Sequence, residues 1–306
     1  MLRRHLHGPG LAAAHRSCSA MQRISLRRLL SSGSQHRKYM RRDAERLRFV
    51  SDGGFVGSND NPGIRIEPSF VSELQAAALV ADSREASEAY GYSYSGDRRV
   101  HTVDADGAVS SETLDLVNNL RVTGRPERPD HPPAPWGYGA NFDESFISGT
   151  SFGALADRIR SCGAYKLGPL RDITVNQRSH SFFQLDPHLD PPEDGPDVFI
   201  LSLLSSAVLT FSPTATTAER LGVEKRSGKD VGLRSWTDAD IDALAEPRTL
   251  IHFGGAARGD WNHAIRAGVE VDQNGEAAIC DWWGQSDYLL RRGKERISIV
   301  LAFGPP

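Results

Sequence analysis

Short apolar runs bounded by proline, glycine or aspartate dominate the second half of the chain. Each run is at most eight residues long, which is the length of a strand rather than of a helix. The runs are Ile173 to Val175, Val198 to Leu204, Val208 to Phe211, Thr249 to Phe253, Trp261 to Ile265 and Arg296 to Phe303. Many short strands separated by turn residues predict an antiparallel sandwich or a jelly roll.

Helical patterns precede most of these strands. Ser72 and Gln75 form a capping-box pattern at the start of the alanine-rich stretch Glu73 to Ala89, which predicts a helix there. A second helix is predicted between Thr150 and Gly163, where apolar residues recur at helical spacing. A small surface helix is predicted from Thr237 to Ala245. The expected fold class is therefore α+β, with a double-stranded β-helix (jelly-roll) core that N-terminal helices brace.

The segment between Arg121 and Asn141 is rich in proline, so it predicts neither a regular helix nor a central strand. We expect a long loop that crosses the domain.

Before it, Tyr90, Tyr92 and Tyr94 alternate with small residues, which is typical of a short strand or an extended lid. Packing of these rings against a neighbouring strand is the alternative.

The first 42 residues differ in composition from the rest. They hold ten Lys or Arg and no acidic residue, together with scattered serine and leucine. This composition predicts an organellar transit peptide, for the mitochondrion or the plastid. A disordered basic arm that binds nucleic acid is the alternative. Residues 43–63 are polar and glycine-rich and predict a flexible linker, so the folded domain is expected to span residues 64–306.

The charge balance changes when the basic segment is set aside. The whole chain has 36 basic and 39 acidic side chains and a formal net charge of -3. Residues 43–306 keep 26 of the basic and all 39 of the acidic side chains, which gives a net charge near -13. An acidic domain of this kind is a poor non-specific ligand for phosphates.

Two further classes of protein are not indicated. No apolar run approaches the roughly 18 residues that a membrane-spanning helix needs, so we expect no membrane span. The three cysteines, Cys18, Cys162 and Cys280, lie far apart without CxxC spacing. This pattern predicts neither a zinc ribbon nor a disulfide framework.

Candidate chemistry begins with His188 and Asp190. An extended chain points residues i and i+2 to the same side, so one metal ion could bind both side chains. His263, in a later predicted strand, is the best candidate for a third ligand, and Asp186 is a possible substitute for Asp190. Taken alone, a His-x-Asp pair more often makes a surface hydrogen bond than a metal site. His252 lies in an apolar run and is expected to be a core histidine.

In its ordered motifs the chain resembles the AlkB-like family of Fe(II)/2-oxoglutarate-dependent dioxygenases, from about Ile64 onward. The family pattern has an asparagine on a strand, an HxD pair, further strands, an aromatic and glycine-rich turn, a second histidine and an arginine that opens the last strand. The matching parts here are Asn176, His188 with Asp190, Val198 to Leu203, Phe253 to Gly255, His263, and Arg296 to Leu301.

The resemblance implies a metal centre and a cosubstrate site. His188, Asp190 and His263 would hold Fe(II) as a 2-His-1-carboxylate triad, which leaves open positions for 2-oxoglutarate and dioxygen. Arg296 would pair with the far carboxylate of 2-oxoglutarate, with Asn176 and Ser298 beside it. 

Two positions depart from the family pattern. Ala302 stands where nucleic-acid demethylases of the family usually carry a second arginine, and Arg178 stands where they commonly carry an aromatic residue. We therefore expect Arg178 to replace the missing cosubstrate anchor.

Three hypotheses for the function follow from the resemblance. The first is an oxidative demethylase that stacks an extracted base under an aromatic lid made of Tyr90, Tyr92, Tyr94, Trp136 and Tyr138. The second keeps the chemistry but oxidises a protein side chain or a small molecule in an organelle, which suits the acidic domain better. The third is a catalytically silent member of the family that binds a partner or a metal.

Overall fold

A computed structural model describes residues 61–94, 99–103, 109–113, 119–224, 237, 239–266, 268–273, 276–282 and 289–306. The predicted transit peptide (residues 1–42) and residues 43–60 of the predicted linker lie outside the described residues. No helix within the described ranges is both long enough and apolar enough to cross a membrane.

Strands make up most of the regular structure. They are β1 (Ile64–Glu67), β2 (Tyr92–Ser93), β3 (Arg99–Val103), β4 (Val109–Thr113), β5 (Asn119–Thr123), β6 (Leu170–Arg178), β7 (Leu185–His188), β8 (Asp197–Leu203), β9 (Ala207–Pro213), β10 (Ile241–Ala245), β11 (Leu250–Phe253), β12 (Trp261–Ile265), β13 (Val269–Gln273), β14 (Glu276–Trp282), β15 (Leu289–Arg291) and β16 (Arg296–Phe303). The α-helices are α1 (Glu73–Tyr90), α2 (Ser151–Ser161), α3 (Ala215–Leu221) and α4 (Ala256–Gly259), and short 3-10 turns span Gly139–Asn141, Glu144–Ile147 and Pro192–Asp194.

The strands form three sheets. A seven-stranded sheet has the order β1-β11-β8-β16-β6-β5-β2, and a four-stranded sheet has the order β10-β9-β12-β7. A third sheet has the order β15-β14-β13-β3-β4 and joins two early strands, β3 and β4, to three late ones. Within the described residues, neighbouring strands run antiparallel except β13 and β3. The predicted antiparallel architecture with a few helices is confirmed.

Helices cover the outer face of the seven-stranded sheet. Because side chains alternate between the faces of a strand, Ile173 and Val175 of β6 and Ile299 of β16 point to the same face. These side chains are fully buried in one cluster with Leu79 of α1 and Leu155 of α2. The helices are thus held by apolar burial, at roughly 1.5 to 3 kcal/mol for each fully buried large side chain.

The inner face of the seven-stranded sheet meets the four-stranded sheet. Ile251 and Phe253 of β11 pack there with Phe211 of β9 and Trp261 of β12 in a second apolar cluster. The inner face of β6 is polar instead, with Asp172, Thr174, Asn176 and Arg178 in alternate positions. Polar residues on this face leave a cavity between the two sheets.

The structure confirms the predicted strands and the first two helices. The six predicted runs fall in β6, β8, β9, β11, β12 and β16, and the predicted N-terminal helices are α1 and α2. At Ser72 both bonds of the capping box are present, since its side chain accepts from the Gln75 amide and the Gln75 side chain accepts from the Ser72 amide. Thr150 caps α2 in a similar way through the amide of Gly153.

The predicted helix from Thr237 to Ala245 is wrong, because this segment contains the buried strand β10. Ile241, Ala243 and Ala245 occupy alternate positions of the strand and face the core between the sheets. Asp242 lies on the other face, where it accepts hydrogen bonds from Thr210 and Arg266. These partners come from β9 and from the end of β12, so tertiary contacts override the helical tendency of the alanines.

The predicted loop between Arg121 and Asn141 begins later than expected. Strand β5 continues to Thr123 and lies between β6 and β2. The exclusion of a central strand is therefore wrong for residues 121–123, which precede the first proline of the segment, Pro126. Residues 124–138 form no strand and no helix, as predicted.

Candidate functional site

His188 and His263 lie opposite each other on neighbouring strands. His188 is the last residue of β7, His263 lies in β12, and the two residues are cross-strand partners with ring centroids 4.3 Å apart. Strand β7 is at the edge of its sheet, which is where a strand tolerates a proline such as Pro187. The antiparallel pairing thus brings together two histidines that are 75 positions apart in the sequence.

Asp190 completes this group just beyond the end of β7. Its Oδ1 atom lies 3.7 Å from Nε2 of His188 and 3.6 Å from Nε2 of His263. One ligand atom from each of the three residues falls within 4.8 Å of the others. Asp186 is exposed and does not belong to this group. The geometry therefore favours Asp190 over Asp186 as the carboxylate of the predicted metal site.

The donor atoms are prepared to bind a cation. Nδ1 of His188 lies 2.8 Å from the main-chain oxygen of Asp186 and donates to it, so Nε2 is the ring nitrogen that is left for the group. Burial lowers the pKa of His263 to about 4, although the nearby charge of Asp190 opposes the shift, so this imidazole is neutral at pH 7. Oδ2 of Asp190 is buried without a hydrogen-bond partner among the described residues.

These observations fit a divalent metal ion. A buried carboxylate oxygen without a partner is costly unless a cation or a donor satisfies it. Two imidazoles and one carboxylate form the donor set that non-heme Fe(II) sites use. The three residues predicted from the sequence as ligands therefore meet with the chemistry that such a site requires.

The four residues predicted for the cosubstrate line the same cavity, which has a volume of about 380 Å³. Arg178 and Arg296 are cross-strand partners on β6 and β16, and only 2% and 3% of their surfaces are exposed. Nε and Nη1 of Arg178 and Nε of Arg296 are buried and lack hydrogen-bond partners among the described residues. Asn176 and Ser298 form the adjacent cross-strand pair.

Two facing guanidinium groups create a site for an anion. Burial and the nearby charge of Arg178 lower the pKa of Arg296 to about 9. Neither arginine forms an ion pair with a carboxylate in the part of the chain that the structure describes. Buried cations of this kind are stabilised by a ligand carboxylate, which accepts the free N–H groups in charge-assisted hydrogen bonds. Asn176 binds Arg121 through its amide oxygen, 3.1 Å from Nε, so its amide nitrogen can serve as a donor.

Ala302 occupies an apolar position. It lies on β16 opposite Asp172 and Val198, is 1% exposed, and belongs to the cluster between the sheets. Ala302 is therefore part of the core packing, and Arg178 is the cation that lies opposite Arg296 in the cavity.

A charged wall of the cavity escaped prediction from the sequence. Asp194 accepts hydrogen bonds from Nη2 of Arg125 at 2.8 Å and from the hydroxyl of Tyr138 at 2.6 Å. Burial, together with the charge of Asp194, raises the pKa of Asp172 to about 7. Tertiary contacts bring these residues together from β6, a 3-10 turn and the loop after β5, so no local sequence signal could have identified the group.

The predicted aromatic lid does not form around the cavity. Trp136 is 4% exposed, packs against Phe152 and donates its indole N–H to the main-chain oxygen of Ile173. The hydroxyl of Tyr92 binds Glu127. Of the five aromatic side chains proposed for the lid, Tyr94 alone lines the cavity, with the guanidinium of Arg121 4.7 Å from its ring centroid.

His252 is a core histidine, as predicted. It is 4% exposed, and its Nε2 atom lies 2.8 Å from Oδ1 of Asp197. Its ring packs against Phe199 and Tyr165, with centroids 4.6 Å away in both cases. The side chain therefore belongs to the structural core and not to the cavity.

No family model and no curated protein matches the sequence. Solved structures with a similar chain course include a Pseudomonas putida prolyl-4-hydroxylase, with 12% identity, 85% of this chain and 99% of that chain covered, and a TM-score of 0.40. OsALKBH1 is similar at 14% identity, over 79% of this chain and 98% of that chain, with a TM-score of 0.41. The non-heme alpha-ketoglutarate-dependent epimerase SnoN from nogalamycin biosynthesis is similar at 12% identity, over 87% and 86%, with a TM-score of 0.38.

Proposed function

We propose that the chain is an Fe(II)- and 2-oxoglutarate-dependent dioxygenase. One observation carries the proposal: a single cavity holds the converging group of His188, Asp190 and His263 together with the guanidinium groups of Arg178 and Arg296, which form no ion pair with a carboxylate of the described residues. A metal site alone would fit many proteins. The combination of an open cation site and a buried anion site is what a metal-bound keto diacid requires.

The strand order supports a double-stranded β-helix for the core. Four strands of the large sheet run in the order β6-β16-β8-β11, and the small sheet runs in the order β7-β12-β9-β10. Eight antiparallel strands in two facing sheets are the composition of a jelly roll. In this arrangement β6, β7, β12 and β16 supply residues of the site.

The residues have separate roles in the proposed site. His188, Asp190 and His263 hold the iron, and the hydrogen bond from Nδ1 of His188 to the Asp186 oxygen keeps the first imidazole oriented. When bound, iron and 2-oxoglutarate couple the oxygen-dependent decarboxylation of 2-oxoglutarate to succinate and carbon dioxide with hydroxylation of a substrate C–H bond.

The cosubstrate is held by two strands. Arg296 and Arg178 bind the far carboxylate of 2-oxoglutarate, and Asn176 and Ser298 lie in the adjacent positions as hydrogen-bond donors. Closure of the cavity by both sheets keeps these groups away from bulk water, which strengthens each charge-assisted bond.

The substrate in this proposal is a protein side chain or a small molecule in an organelle. The net charge near -13 of residues 43–306 supports this choice over a nucleic acid. The cavity wall also supports it, because Asp172, Asp194 and Glu127 line the wall together with arginines. Demethylation of a nucleic-acid base of the AlkB type is the competing outcome. The proposed location is the mitochondrion. A fluorescent protein fused to residues 1–42 tests this, and import into the plastid is the other outcome.

The test is succinate release from 2-oxoglutarate in the presence of Fe(II) and a panel of methylated DNA, methylated RNA and organellar protein extract. We expect release above background with the protein extract and none with the His188→Ala variant. Formaldehyde release with a methylated oligonucleotide would assign the demethylase reaction instead. A folded wild-type protein that binds neither metal nor 2-oxoglutarate would overturn the proposal as a whole.

A further inference from the structure

The loop between β7 and β8 carries Asp190 and Asp194, yet it lies outside the sheets. Residues Pro192–Asp194 form a 3-10 turn, and Gly195 follows with a φ of 98°. A Cβ atom at Gly195 would lie 2.3 Å from the main-chain oxygen of Phe303. Because no residue between His188 and Asp197 belongs to a strand, sheet hydrogen bonds do not fix this loop. Other contacts must hold the carboxylate of Asp190 near the two histidines.

Arg258 makes such contacts at three points. Its Nη1 atom donates to the main-chain oxygen of Asp190 at 2.9 Å, and its Nε atom donates to that of Gly195 at 3.0 Å. Its Nη2 atom donates to the main-chain oxygen of Pro191. The planar guanidinium thus spans the loop from the predicted metal ligand Asp190 to Gly195, the residue after Asp194.

The other end of Arg258 is attached to the second predicted ligand strand. Arg258 belongs to the short helix α4, and β12 with His263 begins two residues after this helix ends. The neighbouring Ala257 is 1% exposed, and its amide donates to the main-chain oxygen of Pro62 at 2.8 Å. Arg258 therefore connects an anchored segment that leads into His263 with the loop that carries Asp190.

We propose that Arg258 is a positioning residue for the metal site, which fixes the distance of Asp190 from His188 and His263. This inference rests on the proposed function. Three carbonyl oxygens at different points of the loop match the forked donors of arginine, whereas a lysine ammonium group is a single point of attachment. Without Arg258 the loop keeps its Asp194 contacts with Arg125 and Tyr138, so the loss falls on the end that carries Asp190.

The experiment compares Co(II) affinity in three variants of the full chain. Arg258→Met removes all three donors, and Arg258→Lys keeps the charge and most of the stem and is expected to fold. The matched control is Arg220→Met, because Arg220 lies on α3, pairs with Asp260 near the end of α4, and has Thr217 and Asp260 as its hydrogen-bond partners among the described residues. The dissociation constant and the visible absorption spectrum of bound Co(II) are measured together with thermal unfolding.

We expect Arg258→Met to raise the Co(II) dissociation constant by about 10- to 100-fold, as loss of an outer-sphere partner of a metal ligand does. Arg258→Lys should give a smaller increase and a changed Co(II) spectrum, and Arg220→Met should match wild type. A folded Arg258→Lys or Arg258→Met protein with wild-type affinity and spectrum would overturn the positioning role, even if its melting temperature fell. Failure of wild type itself to bind Co(II) would instead refute the proposed function.

Discussion

The substitution Arg178→Met changes two properties of the protein in opposite directions. Cβ atoms of directly opposed residues in antiparallel strands lie about 5 Å apart. If the guanidinium charges of Arg178 and Arg296 are about 6 Å apart, their repulsion at an effective dielectric constant of about 20 is about 3 kcal/mol. Removing one charge relieves this repulsion, so the ligand-free variant should unfold with a free energy roughly 1 to 3 kcal/mol higher than that of wild type.

The same substitution weakens binding of 2-oxoglutarate. Nε and Nη1 of Arg178 are buried and unpartnered among the described residues, so both can donate to the cosubstrate carboxylate. Hydrogen bonds to charged groups contribute about 1.5 to 3 kcal/mol each. Arg296 remains to bind the carboxylate, so we expect a net loss equivalent to one such bond, or about 10- to 150-fold in the dissociation constant.

The assay pairs urea unfolding of the ligand-free protein with anaerobic calorimetric titration of 2-oxoglutarate in the presence of Mn(II). Arg84→Met is the matched control, because Arg84 is exposed and pairs with Glu295 outside the cavity. It should leave the affinity for 2-oxoglutarate unchanged. If Arg178→Met instead lowered stability and left the affinity unchanged, Arg178 would be a structural residue and the assignment of the anion site would be wrong.

Two further predictions concern the scaffold of the site. Gly195→Ala should lower the free energy of unfolding in urea by at least about 1 to 3 kcal/mol. The reason is that φ is 98° at Gly195 and the new Cβ would meet the Phe303 oxygen at 2.3 Å. A variant with wild-type stability would show that the loop is not held as described. Burial raises the pKa of Asp240 to about 6, against hydrogen bonds from Thr237 and Ser212 that lower it. The folded state then binds the proton more tightly than the unfolded state, so the contribution of Asp240 to the free energy of unfolding should fall as the pH rises from about 4 to about 6 and level off above. Asp240→Asn should flatten this profile, and an equal slope in both proteins would contradict the assignment.

Local patterns were sufficient for the elements that bury a continuous apolar face. The capping box at Ser72 and the apolar run that became β16 each depend on neighbours in the sequence, so spacing alone predicted them. The prediction of a helix over the segment that forms β10 was wrong because a polar residue of this segment, Asp242, is buried. The hydrogen-bond donors that allow Asp242 to be buried in a strand are Thr210 and Arg266, which are distant in the sequence.

The site likewise contains residues that a sequence pattern predicts and residues that it does not. His188 and Asp190 were identifiable because two residues of the right chemistry stand two positions apart, and the order of motifs pointed to His263. Arg258 and the group of Arg125 and Asp194 carry no such signal, because their partners are main-chain oxygens or side chains far away in the sequence. Prediction of these residues needs the loop between β7 and β8 in three dimensions.

The most direct test of the metal and cosubstrate site is spectroscopic. Anaerobic protein mixed with Fe(II) and 2-oxoglutarate should develop the visible charge-transfer absorption of a 2-oxoglutarate chelate on iron. The His188→Ala variant should lack this absorption, and Arg296→Met should require a higher 2-oxoglutarate concentration to reach it. A folded wild-type protein that shows no such band at saturating Fe(II) and 2-oxoglutarate would contradict the proposal that His188, Asp190 and His263 form a dioxygenase centre.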